Sequence, residues 1–281
     1  MASIKDKLLA IGVALAYPQV RLKPAITKEH FSGKWVLVTG ASHGIGRALT
    51  EKLIEADANV FLIARSEADL QYLCDRAKQR GNRADYCAID LRDREKLELL
   101  CQKLKETLPQ LDYFFCNAGK SIHRKITDAL DRLHDYDRTI DLNYRALVAL
   151  SLALLPALKA SKGSIIYSSS VSTCYPMAPG WSAYHASKSA ANTWCETANS
   201  EFAPLGVHVQ IAYLPLVHTA MSDVNERYRQ LPAYHPADAA NILLRLAIRK
   251  GKRYQPWWAK LSAPIAYLFA PIVHLFYKRM V

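Results

Sequence analysis

Tyr184 and Lys188 are the residues of this sequence whose types and spacing best suit proton transfer. They lie four positions apart in the segment SAYHASKSA (182–190). On a helix, that spacing places both side chains on one face, one turn apart. A free phenol loses its proton near pH ~10 and a free ammonium near ~10.4. The pair can therefore move protons at neutral pH only where its surroundings shift these pKa values; on an exposed helix it is an ordinary surface pair.

The segment TGASHGIG (39–46) has the composition of a phosphate-binding turn. It follows an apolar, strand-like run and precedes a helical stretch. Gly40, Gly44 and Gly46 allow the backbone to approach a phosphate, and a helix N-terminus favours negative charge. The spacing is GxxxGxG, whereas many dinucleotide-binding proteins have GxGxxG. A tight turn needs glycine in any case, so the prediction depends on the position of the segment after the first strand.

Ala64-Arg65-Ser66 stands at the end of the second predicted strand. Proteins that select NAD usually place an acidic residue there to bind the ribose hydroxyls. A guanidinium suits the 2′-phosphate of NADP instead, through charge-assisted hydrogen bonds to which Ser66 could add a donor. The sequence therefore predicts NADP(H), with a solvated arginine as the alternative. Asp90, at the end of the third strand, is expected either to contact the adenine or to serve as a turn residue.

Two asparagines occupy positions that suggest a function. Asn117 begins the segment Asn117-Ala118-Gly119 at the end of the fourth predicted strand, where small residues would let a flat ring lie against the sheet edge. Asn143, in DLNY, falls within a predicted helix. Asparagine is unfavourable there because its side chain competes for backbone hydrogen bonds. We expect a structural or proton-relay role for Asn143; a tolerated exposed position is the alternative.

Together, these motifs resemble the short-chain dehydrogenase/reductase family. TGxxxGIG, NAG, the asparagine in DLNY, a strand that ends in serines and YxxxK occur in the family's order, and the resemblance extends over residues 34–250. One such motif could be accidental, but five in order are specific. The resemblance implies an oxidoreductase that uses NADP(H) and needs no metal.

The resemblance also implies catalytic roles for four residues. Tyr184 would be the general acid that donates a proton to the carbonyl oxygen as hydride arrives. Lys188 would lower the pKa of that tyrosine through its charge and bind the nicotinamide ribose. Ser170 would donate a hydrogen bond to the substrate oxygen, and Asn143 would hold the water chain that returns the proton.

The cofactor contacts implied by the resemblance follow the same motifs. His185 and His218 flank them without a spacing that indicates catalysis, and they are expected to support the site or face the substrate. The residues expected to contact NADP(H) are Gly40, Ser42, His43, Gly44, Ile45, Gly46, Arg65, Ser66, Asp90, Leu91, Asn117, Ala118, Gly119, Tyr184, Lys188, Pro215, Val217 and Thr219.

The sequence departs from the family pattern in two places. The family commonly places its serine thirteen residues before the tyrosine, whereas Ser170 precedes Tyr184 by fourteen. Ser169 and Ser172 are therefore alternative candidates. The second departure is Pro215-Leu216, where the family often has Pro-Gly. The threonine that follows in the family pattern is still matched.

Three longer segments are similar to a bacterial branch of the family that includes reductases of long-chain fatty acyl-CoA to fatty aldehyde. They are residues 117–144, 213–221 and 235–254. Reduction of a long-chain ketone, such as a 3-ketosphinganine-like lipid, is the alternative reaction. A non-catalytic NADP-binding scaffold is the alternative of another class, against which the complete set of catalytic candidates argues.

These residues need a scaffold that brings distant parts of the chain together. Short apolar runs alternate with helical stretches, which indicates an α/β fold with a Rossmann-like, doubly wound parallel sheet in a single domain. We divide the chain into an apolar N-terminal extension (1–30), the catalytic domain (31–254) and an aromatic-rich basic tail (255–281). The predicted strands are 35–40, 59–64, 84–90, 111–119, 163–170 and 207–215, and the predicted helices are 44–57, 67–80, 93–107, 128–160 and 182–203.

Composition limits the classes of partner. The 281 residues carry a formal net charge of +12, which favours phosphates or anionic lipid surfaces. No zinc-finger spacing or aromatic-basic RNA motif is present, so nucleic acid is not expected. The six scattered cysteines form no CxxC and indicate reduced thiols in the cytoplasm.

The two ends of the chain differ from the middle. Residues 241–281 contain eight Lys or Arg and no Asp or Glu, and their second half is dense in aromatics. Aromatics flanked by cations suit the interface of a membrane, and Pro264 and Pro271 are expected to interrupt any spanning helix. An apolar helix at 8–17 could supply a second contact. We therefore expect peripheral association with the inner face of a membrane; packing over the cleft or in a dimer is the alternative. Homo-oligomers are usual for the family.

Overall fold

A seven-stranded parallel sheet forms the centre of the computed structural model, which describes residues 12–223 and 226–280. The strand order is β3-β2-β1-β4-β5-β6-β7, and each neighbouring pair is parallel. The expected doubly wound, Rossmann-like α/β fold is thereby confirmed. The strands are β1 (Trp35–Thr39), β2 (Asn59–Ala64), β3 (Ala84–Ala88), β4 (Tyr113–Cys116), β5 (Ser164–Ser170), β6 (His208–Leu214) and β7 (Arg253–Tyr254).

Helices cover both faces of the sheet. The sequences of such strands are continuous apolar runs, because the side chains on both faces of the sheet are buried. In β1, Val36 and Val38 join one buried cluster and Leu37 joins the other. The helices are α1 (Pro24–Phe31), α2 (Gly44–Glu55), α3 (Glu67–Gln79), α4 (Arg94–Thr107), α5 (Leu133–Ile140), α6 (Ala146–Ser161), α7 (Ser182–Phe202), α8 (Glu226–Arg229), α9 (Pro236–Arg249), α10 (Trp257–Leu268) and α11 (Ala270–Met280).

The helix expected at 128–160 differs from the structure. A short 3-10 turn, Ile126–Asp128, ends at Ala129, whose φ of −154° is not helical. The helix begins only at Leu133 and contains one π-helical turn, Asp141–Arg145, between α5 and α6. A π turn inserts an extra residue into the helix and so changes the direction of the side chains within the turn. The turn therefore sets the direction of Asn143.

The two ends of the chain pack against each other. Residues 12–16 are helical, and residues 1–11 of the expected 8–17 helix lie outside the described part of the chain. The Trp257 indole donates to the Leu15 carbonyl at 2.8 Å, and the Trp258 indole donates to the Ala16 carbonyl at 2.9 Å. Part of the apolar character of both ends is therefore used in mutual contact.

Pro264 does not interrupt the tail where we expected it to. It lies inside α10, on the exposed side of the helix, so water can solvate the carbonyl that it leaves unpaired. The chain bends by 86° after Leu268 instead. In the described residues, α10 and α11 are long and apolar enough to span a membrane only if this bent pair is counted as one helix. Residues 133–161 are long and apolar enough by themselves, and half of their most apolar 18-residue stretch is buried in the protein. Both are weak evidence of a span.

Candidate active site

The glycine-rich turn between β1 and α2 is packed against the end of β4. A Cβ at Gly46 would lie 2.0 Å from the Gly40 carbonyl oxygen, so no larger residue fits there. Gly40 has a φ of +68°, and a Cβ on it would lie 3.0 Å from the Cα of Ala118. The Thr39 hydroxyl oxygen accepts hydrogen bonds from the backbone N–H groups of Asn117 and Ala118 at 3.1 Å. Two distant motifs thus meet at one edge of the sheet.

The N-terminus of α2 opens onto that edge. Its preceding residue, His43, makes no side-chain cap to the first backbone N–H groups; its ring Nδ1 lies 2.8 Å from the Ser42 hydroxyl instead. Gly44, at φ +54°, faces the Thr219 side chain, whose methyl carbon would be 3.0 Å from an added Cβ. Ile45 is half-buried against the core. The uncapped N–H groups of this helix remain available to an anion.

The residues after β2 form a polar cluster. Arg65 is exposed. The Ser66 hydroxyl, which we expected to be a free donor, donates to Asp69 at 2.5 Å. The Arg47 guanidinium also bonds Asp69, at 3.2 Å, and these contacts hold the pKa of that carboxyl low, with the Ser66 hydrogen bond as the largest cause. Arg47 and Asp69 could not be predicted from the sequence, since only the fold brings α2 and α3 together.

A second group of cations lies beyond β3 and β4. The Asp90 carboxylate is held by the guanidinium of Arg92 through both oxygens, which lowers its pKa. Leu91 between them is buried. The pKa of Lys120 is lowered, first by burial and then by nearby cations that include Arg65. The edge of the sheet between β2 and β4 is therefore positively charged, as a phosphate-binding surface would be.

Tyr184 and Lys188 occupy neighbouring turns of α7, as their spacing predicted. The Lys188 amine is buried, donates to the Ser168 carbonyl at 2.8 Å and lies 4.7 Å above the Tyr167 ring. Burial lowers the pKa of Lys188 to about 8. The amine therefore keeps its charge at neutral pH while already engaged by the backbone of β5.

The pKa of Tyr184 shifts in the direction opposite to the one expected. Burial raises it, and a hydrogen bond with Ser170 only partly opposes the rise. Among the described residues, Lys188 is not one of the groups that shift the pKa of Tyr184; its amine is hydrogen-bonded to the Ser168 carbonyl. The Tyr184 phenol is thus a protonated group at neutral pH, paired with the serine at the end of β5.

The three serine candidates have different partners. The Ser169 hydroxyl is buried and donates to Asn192 at 2.6 Å. The Ser170 hydroxyl lies 2.8 Å from the Ser172 hydroxyl and is the serine that lowers the pKa of the Tyr184 phenol, against the rise caused by burial. Of the three candidates, Ser170 is therefore the one that influences the phenol, despite the extra residue in the loop.

Asn143 is buried in the π turn, so the alternative of an exposed position is wrong. Its amide nitrogen donates to the Lys120 carbonyl and to the Ser187 hydroxyl, both at 2.9 Å. Its oxygen accepts from the Lys120 N–H at 2.8 Å. A Cβ on Gly119 would lie 3.3 Å from this oxygen and 3.5 Å from the Lys188 amine. Asn143 thus joins the NAG segment to α7.

The segment after β6 closes the other side of the cleft. Pro215 and Val217 are buried, and Val217 pairs with Tyr234 in an isolated β-bridge. The Thr219 N–H donates to the Ser222 hydroxyl at 2.9 Å. His218 Nδ1 lies 3.5 Å from the Asp223 carboxylate.

Aromatic side chains that sequence analysis did not single out surround the phenol. The Trp181 ring lies 6.0 Å from the Tyr184 ring in an edge arrangement and stacks on Tyr228 at 5.9 Å. His123 lies 4.6 Å from the same indole. These residues come from three separate segments, so no local pattern could have found them.

The tail packs on the segment that follows β5. The Tyr175 hydroxyl lies 2.6 Å from the Ser262 hydroxyl. The Tyr267 hydroxyl donates to the Tyr175 carbonyl at 3.2 Å, and the Tyr277 hydroxyl donates to the Pro176 carbonyl at 3.3 Å. The helices α10 and α11 are thereby attached to the loop that begins at Ser170.

Comparison with known proteins gives the same fold and one family. The model of the short chain dehydrogenase family matches residues 34–229. A fatty acyl-CoA reductase of Acinetobacter baylyi is 33% identical over 89% of this chain and 84% of that protein. A fatty acyl-CoA reductase of Mycobacterium tuberculosis is 34% identical over 85% of this chain and 82% of that protein. A short-chain dehydrogenase from Sphingobium yanoikuyae, solved in complex with NADPH, has a TM-score of 0.73 and 24% identity over 84% of this chain and 95% of that chain.

Proposed function

The chain belongs to the short-chain dehydrogenase family, and from that membership we propose that it is an NADPH-dependent reductase of a long-chain lipid carbonyl. The substrate that we favour is a fatty acyl-CoA, which is reduced to the fatty aldehyde. The observation that carries this proposal is the meeting of Tyr184, Ser170 and Lys188 beside the loop to which the apolar helices α10 and α11 are attached. Two relatives with fatty acyl-CoA reductase names support the substrate class.

The residues at the sheet edge fit NADP(H). The uncapped N-terminus of α2 would bind the pyrophosphate, and the small residues at Gly40 and Gly119 leave room for the backbone and for a flat ring. Arg65 would bind the 2′-phosphate, and Lys188 the nicotinamide ribose. When bound, NADPH supplies the hydride. The remaining contacts that we propose are those of Ser42, His43, Gly44, Ile45, Gly46, Ser66, Asp90, Leu91, Asn117, Ala118, Pro215, Val217 and Thr219.

Proton transfer is assigned to this chain's own side chains. Tyr184 would donate its proton, because burial keeps the phenol protonated at neutral pH. Ser170 would donate a hydrogen bond to the substrate oxygen. Lys188, whose amine is buried, would act by holding the nicotinamide ribose in place. Asn143, bonded to Lys120 and Ser187, would hold the path by which the proton returns.

The two candidate reactions differ in where the proton ends. A ketone gains hydride at carbon and the proton at oxygen. A thioester gains hydride at carbon, the carbon–sulfur bond then breaks, and the departing thiolate takes the proton. Tyr184 and Lys188 serve the ketone directly, whereas for the thioester we name no separate residue for the departing thiolate. Ketone reduction therefore remains the second candidate, and product identity separates the two.

We expect the purified protein to oxidise NADPH with C12–C18 acyl-CoA and to release aldehyde and free thiol in equal amounts. The fall in NADPH absorbance measures the cofactor consumed. Thiol titration and mass spectrometry measure the two products, free thiol and aldehyde. Turnover of long-chain ketones without turnover of thioesters would establish the second candidate instead. Tight NADPH binding without turnover of either class of substrate would favour the alternative that the protein is a non-catalytic NADP-binding scaffold.

We also infer that the protein lies on the inner face of a cytoplasmic membrane. Helix α10 buries small residues, Ala259 and Ala263, and both α10 and α11 expose large ones. This is the reverse of a helix that packs on a soluble core. The cations Lys260, Lys278 and Arg279 are exposed around it. The apolar side chains that are half or more exposed are Trp257, Leu261, Ile265, Tyr267, Leu268, Phe269, Ile272, Leu275 and Phe276.

Exposed rings and aliphatic side chains flanked by cations suit the boundary between headgroups and acyl chains. Each cation near an anionic surface adds ~1 kcal/mol. Such a site would let an insoluble substrate reach Tyr184 from the bilayer. A homo-oligomer is proposed with it, and the exposed Leu152 on α6 is a candidate contact residue.

We expect the parent protein to co-sediment with phosphatidylcholine vesicles that contain phosphatidylglycerol, and the Leu268→Glu variant to partition about tenfold less. Leu268 is 76% exposed, and moving one such side chain from lipid to water costs ~1.5–3 kcal/mol. The point variant keeps the Trp257 and Trp258 contacts, which a truncation after Tyr254 would remove.

Leu99→Glu is the matched control, because Leu99 is 64% exposed on α4 and the change in charge is the same. It should sediment like the parent. A parent that stays in the supernatant at low salt, or an equal loss in both variants, would rule out the tail as the membrane contact.

A further inference from the structure

We propose that His185 is a positioning residue that acts through Ser172 to aim the hydroxyl proton of Ser170 at the substrate oxygen. The inference rests on the proposed carbonyl reduction at the same site and adds two residues to it. His185 follows Tyr184 directly on α7, and Ser172 lies in the 3-10 turn Val171–Cys174 that follows β5. The phenol and the serine are thus connected by a second route.

A continuous chain of polar atoms joins the three residues. His185 Nε2 lies 3.1 Å from the Ser172 hydroxyl oxygen, which lies 2.8 Å from the Ser170 hydroxyl oxygen. The backbone N–H of Ser172 also donates to the Ser170 oxygen, at 3.3 Å. Both distances between side chains are those of ordinary hydrogen bonds.

The surroundings of His185 decide which of its nitrogens carries the proton. The side chain is buried, and within the described part of the chain its Nδ1 has no hydrogen-bond partner. A buried N–H without an acceptor is rarer and more costly than a buried acceptor without a donor. The proton of the neutral ring is therefore on Nε2, which donates to Ser172. Burial also lowers the pKa of His185 and keeps the ring neutral.

The direction of the whole chain follows from that tautomer. The Ser172 oxygen accepts from His185, so its own proton is directed to the Ser170 oxygen. Ser170 then accepts two hydrogen bonds, from the hydroxyl and from the backbone N–H of Ser172. A hydroxyl oxygen has two acceptor sites. With both acceptor sites of the Ser170 oxygen in use, the hydroxyl can only donate a further hydrogen bond. Its proton is therefore directed toward the phenol and the substrate oxygen.

A separate network holds the backbone of the same turn. Asn192, two turns after Tyr184 on α7, accepts from Ser169 at 2.6 Å and donates to Thr173 at 3.0 Å. The Thr173 hydroxyl donates to the Ser170 carbonyl at 2.7 Å. The position of the turn therefore does not depend on His185, and loss of His185 should free the Ser170 rotor without moving its backbone.

We expect His185→Phe and Ser172→Ala each to lower kcat about tenfold, with the Kd of NADPH and the Tm little changed. The His185→Gln variant should recover most of the loss, because its side-chain amide can place a donor near the position of Nε2. The double variant should be no slower than Ser172→Ala alone, since both changes cut one chain.

Several outcomes would overturn the inference. These are unchanged kcat in His185→Phe, losses that multiply in the double variant, and a drop in Tm that Gln does not restore. A parent without turnover would defeat the proposed function instead. The ¹⁵N NMR shifts of His185 test the tautomer without any assay of activity: a proton on Nε2 supports the directed chain, and a proton on Nδ1 rejects it.

Discussion

The Tyr184→Phe variant is expected to lose kcat by about 100- to 10,000-fold while it binds NADPH within a few-fold of the parent. The substitution keeps the ring that packs at 6.0 Å from Trp181 and removes only the hydroxyl. A positioned general acid contributes ~10²–10⁴ to a rate. Single-turnover NADPH oxidation measures the chemical step, and quenching of protein fluorescence measures the affinity for the cofactor.

Tyr136→Phe is the control for this prediction. The Tyr136 hydroxyl lies 2.8 Å from the hydroxyl of Ser182, the first residue of α7. The control therefore removes the same phenolic hydroxyl group near the start of the helix that carries Tyr184. It should leave kcat within a few-fold of the parent. Activity of Tyr184→Phe at a similar level would mean that another group, or water, supplies the proton.

The Arg65→Glu variant is expected to weaken NADPH about 100-fold and NADH only a few-fold. The guanidinium is exposed at the end of β2 and would make charge-assisted hydrogen bonds to the 2′-phosphate. Bonds of that kind are worth ~1.5–3 kcal/mol, and a carboxylate in the same place adds repulsion. NADH lacks the phosphate, so the ratio of the two Kd values reports on Arg65 directly.

Arg83→Glu carries the same charge change at an exposed residue just before β3, at the opposite end of the sheet. It should leave the ratio of the two Kd values unaltered. An equal loss of NADPH and NADH binding in Arg65→Glu would show that Arg65 supports the site without reading the phosphate. A loss in the control as well would point to long-range electrostatics.

The parts of the fold that sequence analysis predicted correctly have strong local signals. Six strands were placed because buried parallel strands are continuous apolar runs, and β2 was predicted with its observed bounds. The placement of Tyr184 and Lys188 on neighbouring turns of one helix was correct because residues four positions apart share a helix face. The Gly46 position follows from the strand–turn–helix order, although the requirement for glycine comes from contact with Gly40.

The parts that were missed depend on contacts between distant segments. The two residues of β7 carry no periodicity of their own. The π turn at Asn143 has no local sequence pattern, and the pKa of Tyr184 is raised by burial, which only the three-dimensional packing determines. The proline in α10 was predicted as a break on local grounds, and its exposed position explains why it is tolerated.

The contact between the ends of the chain has a consequence for synthesis. The Trp257 indole and its acceptor, the Leu15 carbonyl, are separated by 242 residues. At ~5–20 residues per second, a ribosome needs about 12–48 s to add them. Through that interval the N-terminal helix has no Trp257 or Trp258 to cover it, while the sheet assembles around later strands. The N-terminal helix therefore lacks both of these indole donors until the last tenth of the chain has been made.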